Sequence, residues 1–202
     1  SDVYKRQEVH KATAIRRPAQ ATRWYDPQAP LSRTFCNPMN ISYNFEPFNN
    51  NVRPNGSFRS SADPMAVEYK GEYFLFSTNQ GGFHYSRNLV DWEYVGTAFT
   101  DRTRPDFEPN GGLWAPDINK IGDKYVLYYS MSVWGGELTC GIGCATADKP
   151  EGPFTDHGKM FRSNEINVQN SIDPFYIEDG GKKYLFWGSF RGIYGIELSD
   201  DG

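Results

Sequence analysis

Three times in this chain an adjacent proline and aspartate stand at the entrance of a strand-turn-strand unit, and this recurrence restricts the fold more than any other feature. Ala62-Asp63-Pro64 leads into Met65-Ala66-Val67-Glu68-Tyr69, a Lys70-Gly71-Glu72 turn, and Tyr73-Phe74-Leu75-Phe76-Ser77. Trp114-Ala115-Pro116-Asp117-Ile118 precedes a Gly122-Asp123 turn and Lys124-Tyr125-Val126-Leu127-Tyr128-Tyr129-Ser130. Ile172-Asp173-Pro174-Phe175 precedes Gly181 and Lys183-Tyr184-Leu185-Phe186-Trp187-Gly188-Ser189. Aromatic and β-branched enrichment between Gly-marked turns reads as β-strand. The aspartates lie 117 − 63 = 54 and 173 − 117 = 56 residues apart. A strand-built repeat of this length is the signature of a β-propeller with one blade per repeat, since such repeats run to roughly 40 to 50 residues. If the strand after each aspartate is the innermost of its blade, Asp63 and Asp173 face the central channel from blades one and three. Pro64 is expected to push Asp63 toward extended backbone, giving its carboxylate a restricted direction.

The rest of the chain fills in these blades. Phe83-His84-Tyr85-Ser86 and Asp91-Trp92-Glu93-Tyr94-Val95 read as the outer strands of the first, and Cys140 to Thr146 and Phe154-Thr155-Asp156 as those of the second. Residues 172–177, 183–189 and 192–198 read as three strands of a third, with no outer strand after them. A propeller protects its strand edges by closing its ring, so three blades are not the whole architecture. Residues 1–34 show no apolar periodicity and read as an irregular or non-native lead-in, the opening Ser-Asp-Val-Tyr-Lys-Arg-Gln being set aside from the fold. Residues 35–202 read as one partial propeller domain.

Aromatic content of 16% with 20 Gly and 13 Pro suits a turn-rich all-β chain. The 21 basic and 25 acidic residues are nearly balanced, and the basic ones are not clustered, which argues against nucleic acid as a partner. No apolar run is long enough to span a bilayer as a helix. Cys140 and Cys144 share an extended segment, about 13 Å apart, too far to bridge one another, and Cys36 is isolated. The cysteines read as buried thiols without metal-ligand spacing.

Four pieces in order at blade spacing, Ala62-Asp63-Pro64, Trp114-Ala115-Pro116-Asp117, the Gly141 to Asp156 run with its Pro150-Glu151-Gly152-Pro153-Phe154, and Ile172-Asp173-Pro174 with Tyr184 to Ser189, resemble glycoside hydrolase family 43. The resemblance covers roughly residues 35–202. It implies a five-bladed propeller, of which this chain holds about the first three blades, and inverting hydrolysis by three acidic residues. On that carry-over Asp63 is the general base and Asp173 orients the acid and tunes its pKa. The acid itself, a Glu, is expected on a fourth blade beyond Gly202, and the 202 residues alone are expected to be inactive. Glu151 precedes a Gly-Pro as that acid often does, but it sits in an outer turn of the second blade. Asp117 is not used catalytically in the family and reads as structural.

The chemistry needs separated carboxylates. One ionised acid deprotonates water while a protonated one assists the leaving oxygen, with roughly 6.5 to 9.5 Å between them to admit that water. A third carboxylate raises the acid's pKa by like-charge repulsion. Sugar rings pack their C–H faces on aromatics, and Trp114 and Phe83 lead Trp134 and Trp187 as candidates. Arg59 either meets substrate hydroxyls or shields Asp63. His84 and His157 read as strand or surface residues. The resemblance allows a Ca²⁺ in the channel, but this chain shows no complete ligand set for it, and no cofactor is required.

The expected substrate is an arabinose- or xylose-containing plant polysaccharide or oligosaccharide, cleaved in the manner of a β-xylosidase, α-L-arabinofuranosidase or arabinanase. Fructan-cleaving relatives are disfavoured because Ala62 and Ile172, not Asn and Arg, precede the aspartates. Two alternatives remain open: a propeller that binds carbohydrate without cleaving it, and a protein-interaction propeller, which predicts no converging carboxylates. Such substrates imply secretion or a periplasmic location, although no signal peptide is visible, and the oligomeric state is left open.

Overall fold

The computed structural model describes residues 62–78 and 82–202, together with the backbone pairing of residues 40–41. They form three successive sheets with almost no helix. The first contains β1 (Asn40–Ile41), β2 (Met65–Tyr69), β3 (Glu72–Phe76), β4 (Gly82–Ser86) and β5 (Asp91–Thr97). Its order is β1-β5-β4-β3-β2, with β1 parallel to β5 and the other neighbours antiparallel. The second is an antiparallel meander of β6 (Gly112–Ile121), β7 (Lys124–Ser132), β8 (Gly141–Ala147) and β9 (Thr155–Arg162). A single turn of helix, α1 (Ser163–Ile166), leads to the third, β10 (Phe175–Asp179), β11 (Lys182–Ser189) and β12 (Gly192–Leu198). The chain is therefore all-β and laid out in propeller blades, as the repeat requires. The expected lead-in over residues 1–34 lies outside the described residues.

Strand β7 shows why its sequence is almost uninterruptedly apolar. Side chains alternate across a strand, and β7 has a blade on each face. Tyr125, Leu127, Tyr129 and Met131 join Phe74, Phe76, Phe83 and Tyr85 of the first blade in one core. Val126 and Tyr128 join Tyr176, Leu185 and Trp187 of the third in another. At about 1.5–3 kcal/mol for each large apolar side chain removed from water, these two cores bind the blades to one another. Two expected sugar platforms belong to them. Phe83 is wholly buried, stacked on Phe76 with centroids 4.9 Å apart, and Trp187 is buried against Phe161. Neither can present a ring face to a ligand, because alternation turns each toward the neighbouring blade.

The register corrects the repeat alignment. The inner hairpins close at Tyr69↔Glu72, Ile121↔Lys124 and Asp179↔Lys182. Counting back six residues from each gives 69 − 6 = 63, 121 − 6 = 115 and 179 − 6 = 173. The counterpart of Asp63 and Asp173 on the middle blade is thus Ala115, not Asp117. What the repeats share is the proline, Pro64, Pro116 and Pro174. On the middle blade the acid follows its proline by one residue instead of preceding it by one, which sets it two positions further on, level with Met65 and Phe175. One extra residue of β6 between Trp114 and Asp117 makes a β-bulge just before it.

The backbone before each proline also differs from expectation. Asp63, Ala115 and Asp173 have φ of 53°, 40° and 57°, in the left-handed region and not in extended conformation. For a residue with a Cβ that conformation costs on the order of 1–2 kcal/mol, so the surroundings must hold it.

Candidate active site

The holding bonds run between blades. Thr78 and Ser130 each stand six residues beyond the start of the second hairpin strand, since 72 + 6 = 78 and 124 + 6 = 130. The Ala115 N–H donates to Thr78 Oγ1 at 3.0 Å, and the Asp173 N–H donates to Ser130 Oγ at 2.9 Å. Each hydroxyl therefore fixes the left-handed residue of the following blade. Blades one and three also share a backbone bond at this level, Thr78 N–H to Ala62 O at 2.9 Å and Gly188 N–H to Ile172 O at 2.8 Å.

Thr78 does more than its counterpart. Its Oγ1–H donates to Asp63 Oδ2 at 2.5 Å, so one hydroxyl joins the first carboxylate to the second blade. Asp63 itself is open to solvent. The Asp173 side chain also reaches solvent, yet its carboxyl stands among enough protein to be pushed up to about 6, first by desolvation and second by the negative charge of Asp63. That second cause places the two carboxylates within electrostatic reach of one another. Sequence reasoning paired them, and the structure brings them together at one end of the blades.

Asp117 lies elsewhere. It is buried, and its Oδ2 accepts from the Tyr176 N–H at 2.7 Å and from Asn119 Nδ2 at 2.9 Å. Desolvation raises its pKa to about 6 despite those bonds. It links blade two to blade three inside the sheet layer, as a structural carboxylate does. Glu151 lies in the β8–β9 connection, at the end of blade two marked by the Lys124–Asp148 ion pair (2.5 Å) and opposite to Ser130. Its place at the opposite end of the blade sets it apart from Asp63 and Asp173.

Trp114 immediately precedes Ala115, which sets its ring at the same end. It is half-buried, and its centroid lies 5.4 Å from that of Trp134, whose side chain is 94% exposed on the β7–β8 loop. The loop is tied down by Asn170 N–H to Glu137 O (2.7 Å), Asn164 N–H to Leu138 O (3.0 Å) and Arg162 Nε to Thr139 O (2.7 Å). Arg162 is itself paired with the buried Glu108 at 2.8 Å. The two indoles therefore form an aromatic ledge beside the carboxylates. Arg59 lies outside the described residues. His84 is buried in β4 against Tyr94, and His157 pairs with Thr146 Oγ1 at 2.8 Å. Both cysteines among the described residues, Cys140 and Cys144, are free thiols. Among the described residues no three His, Cys, Asp or Glu side chains are grouped to hold a metal ion.

Thr78 and Ser130 were not foreseen from the sequence. Their signal is positional, a hydroxyl residue six beyond the hairpin turn of a blade, and it becomes visible only when the turns are aligned.

The profile of a protein family described as glycosyl hydrolases family 43 matches residues 57–202. Arabinan endo-1,5-alpha-L-arabinosidase A of Aspergillus niger is 36% identical over 134 residues, covering 63% of this chain and 41% of that protein. A probable arabinan endo-1,5-alpha-L-arabinosidase C of Aspergillus clavatus is 38% identical over 146 residues, covering 68% and 45%. Among solved structures, an alpha-L-arabinanase of Cellvibrio cellulosa superposes with a TM-score of 0.63 at 31% identity, over 70% of this chain and 49% of that one. The same enzyme complexed with arabinohexaose gives 0.61 at 30% identity, over 70% and 49%. An exo-1,5-alpha-L-arabinanase from a bovine ruminal metagenomic library gives 0.58 at 31% identity, over 70% and 51%. The chain thus spans 41–45% of the length of these curated relatives.

Proposed function

The chain belongs to glycosyl hydrolases family 43, and from that premise we propose that the protein hydrolyses α-1,5-linked arabinan with inversion at the anomeric carbon. The observation that carries the reading is the pairing of Asp63 and Asp173, each on a left-handed residue opening the inner strand of its blade, close enough for one charge to raise the other's pKa. Asp63, open to solvent, takes a proton from the attacking water. The water oxygen bonds to the anomeric carbon as the glycosidic C–O bond breaks, and a general acid protonates the leaving oxygen. The family resemblance assigns that acid to a Glu outside these residues. Asp173 acts on it through charge, keeping it protonated near neutral pH.

Arabinan is favoured over xylan because the relatives named above are arabinan-cleaving enzymes. The Trp114–Trp134 pair, its rings tilted by 53°, offers apolar ring faces on which a furanose can pack. Hydrolysis of a polymer that does not enter cells supports a secreted or periplasmic location. The test is hydrolysis of debranched arabinan, p-nitrophenyl α-L-arabinofuranoside and p-nitrophenyl β-D-xyloside by the full-length protein beside its Asp63→Asn variant. Activity on arabinan that falls by roughly 10²- to 10⁴-fold in the variant is expected from loss of a general base. Undiminished activity in the variant rules out the assignment of Asp63. Binding of arabinan without cleavage by the wild type would favour a carbohydrate-binding propeller.

A further inference from the structure

We propose that Thr78 is a positioning residue for the general base, selecting which oxygen of Asp63 accepts the proton. This inference rests on the reading of Asp63 as base. Thr78 has one hydroxyl proton, and the structure leaves that proton one direction. Its Oγ1 accepts the Ala115 N–H at 3.0 Å, and its backbone N–H is fixed to Ala62 O at 2.9 Å. The hydroxyl then donates to Asp63 Oδ2 at 2.5 Å.

A carboxylate oxygen that accepts a short hydroxyl hydrogen bond has part of its charge neutralised and one lone pair occupied, so it is the poorer proton acceptor. Oδ1 is left as the basic atom. The same bond stops the carboxylate from rotating about χ2, a torsion with a broad and soft minimum in an unrestrained aspartate. The internal repeat supplies the comparison. Ser130 makes the equivalent bond to the next blade's N–H but meets only the Asp173 backbone, and the counterpart of Asp63 on Ser130's own blade is Ala115, which has no carboxylate to receive a hydroxyl proton. The contact between Thr78 and a carboxylate is therefore a feature of the first blade and not a requirement of blade packing.

The test uses the full-length enzyme on debranched arabinan, with Thr78→Val removing the hydroxyl at nearly constant shape and Thr78→Ser retaining it. Thr78→Val is expected to lower kcat by roughly tenfold to a hundredfold with KM within about twofold of wild type, as for a bond that orients the reacting group without touching substrate. Thr78→Ser is expected to recover most of kcat. If the valine methyl proves too disruptive for folding, Thr78→Ala gives the same comparison beside Thr78→Ser. Wild-type kcat in the valine or alanine variant overturns the proposal. So does equal loss in the serine variant, which would mean that the side chain matters for packing alone. An active Asp63→Asn variant marks the separate failure of the base assignment.

Discussion

At the scale of residues, the two carboxylates differ in what surrounds them. Asp63 holds a hydroxyl donor, whereas Asp173 has no donor to its carboxylate among the described contacts and is pushed up to about 6 by desolvation and by Asp63. Removing the charge of Asp63 must therefore lower the Asp173 pKa. In a ¹³C NMR titration of the carboxyl groups, the Asp173 resonance is expected to titrate near pH 6 in the wild type and at lower pH in Asp63→Asn. An unchanged midpoint would mean that the two groups do not interact. Asp63 and Asp173 were legible in the sequence because an aspartate beside a proline before a strand is a local signal. Phe83 was misread because composition marks an aromatic strand residue, while only the packed sheet says which face it occupies. Thr78 was illegible because a threonine beyond a strand carries no local signature, and its partners lie 15 and 37 residues away.

Among elements, the shared strand β7 and the inter-blade bond of Asp117 decide how blades stay together. Leu127 is wholly buried between the first two blades. Leu127→Ala in the full-length protein is expected to cost about 2–5 kcal/mol, through lost burial and the cavity left behind, and to lower the denaturant midpoint accordingly. A loss below roughly 1 kcal/mol would show that the blades do not share this core. Asp117 gives a pH dependence of known sign. Its folded-state pKa is raised from 3.8 to about 6, so the native state binds a proton that the unfolded chain releases. Its favourable contribution is complete below pH 3.8 and fades as pH rises through about 6. Asp117→Asn, which keeps an acceptor for the Tyr176 N–H, is expected to flatten the change in melting temperature between pH 4 and 6, the window those pKa values set. An identical slope in both proteins would refute the burial of this charge. The strands were readable from periodicity, but the bulge at Ala115-Pro116 was not. It inserts one residue without any change in composition. The alignment on aspartates slipped by two positions for a separate reason: the acid of blade two follows its proline, whereas Asp63 and Asp173 precede theirs.

On the scale of the whole molecule, the blades are covered unequally. Both faces of blade two are packed, while Phe175, Ile177, Phe186 and Ile193 on one face of blade three are 53%, 41%, 38% and 69% exposed. Contiguous apolar surface of this kind marks a contact face. These 202 residues produced alone are expected to bind the dye ANS and to self-associate, and a monodisperse monomer without ANS fluorescence would contradict that. The propeller class was legible because repeat length and strand signals are global properties of the chain. Which faces of the blades pack together was not, because that depends on contacts between residues far apart in the chain.

The central claim is that two carboxylates held at the mouths of blades one and three serve an inverting hydrolysis, with Asp63 as base toward water. The most direct measurement is a ¹H NMR time course of debranched arabinan cleavage by the full-length enzyme, following the anomeric configuration of the first reducing end formed. Direct displacement by water at an α-L-arabinofuranosyl centre predicts that the β-anomer appears first and the α-anomer only later by mutarotation. Initial formation of the α-anomer would contradict the account, since retention requires a carboxylate to attack the sugar itself.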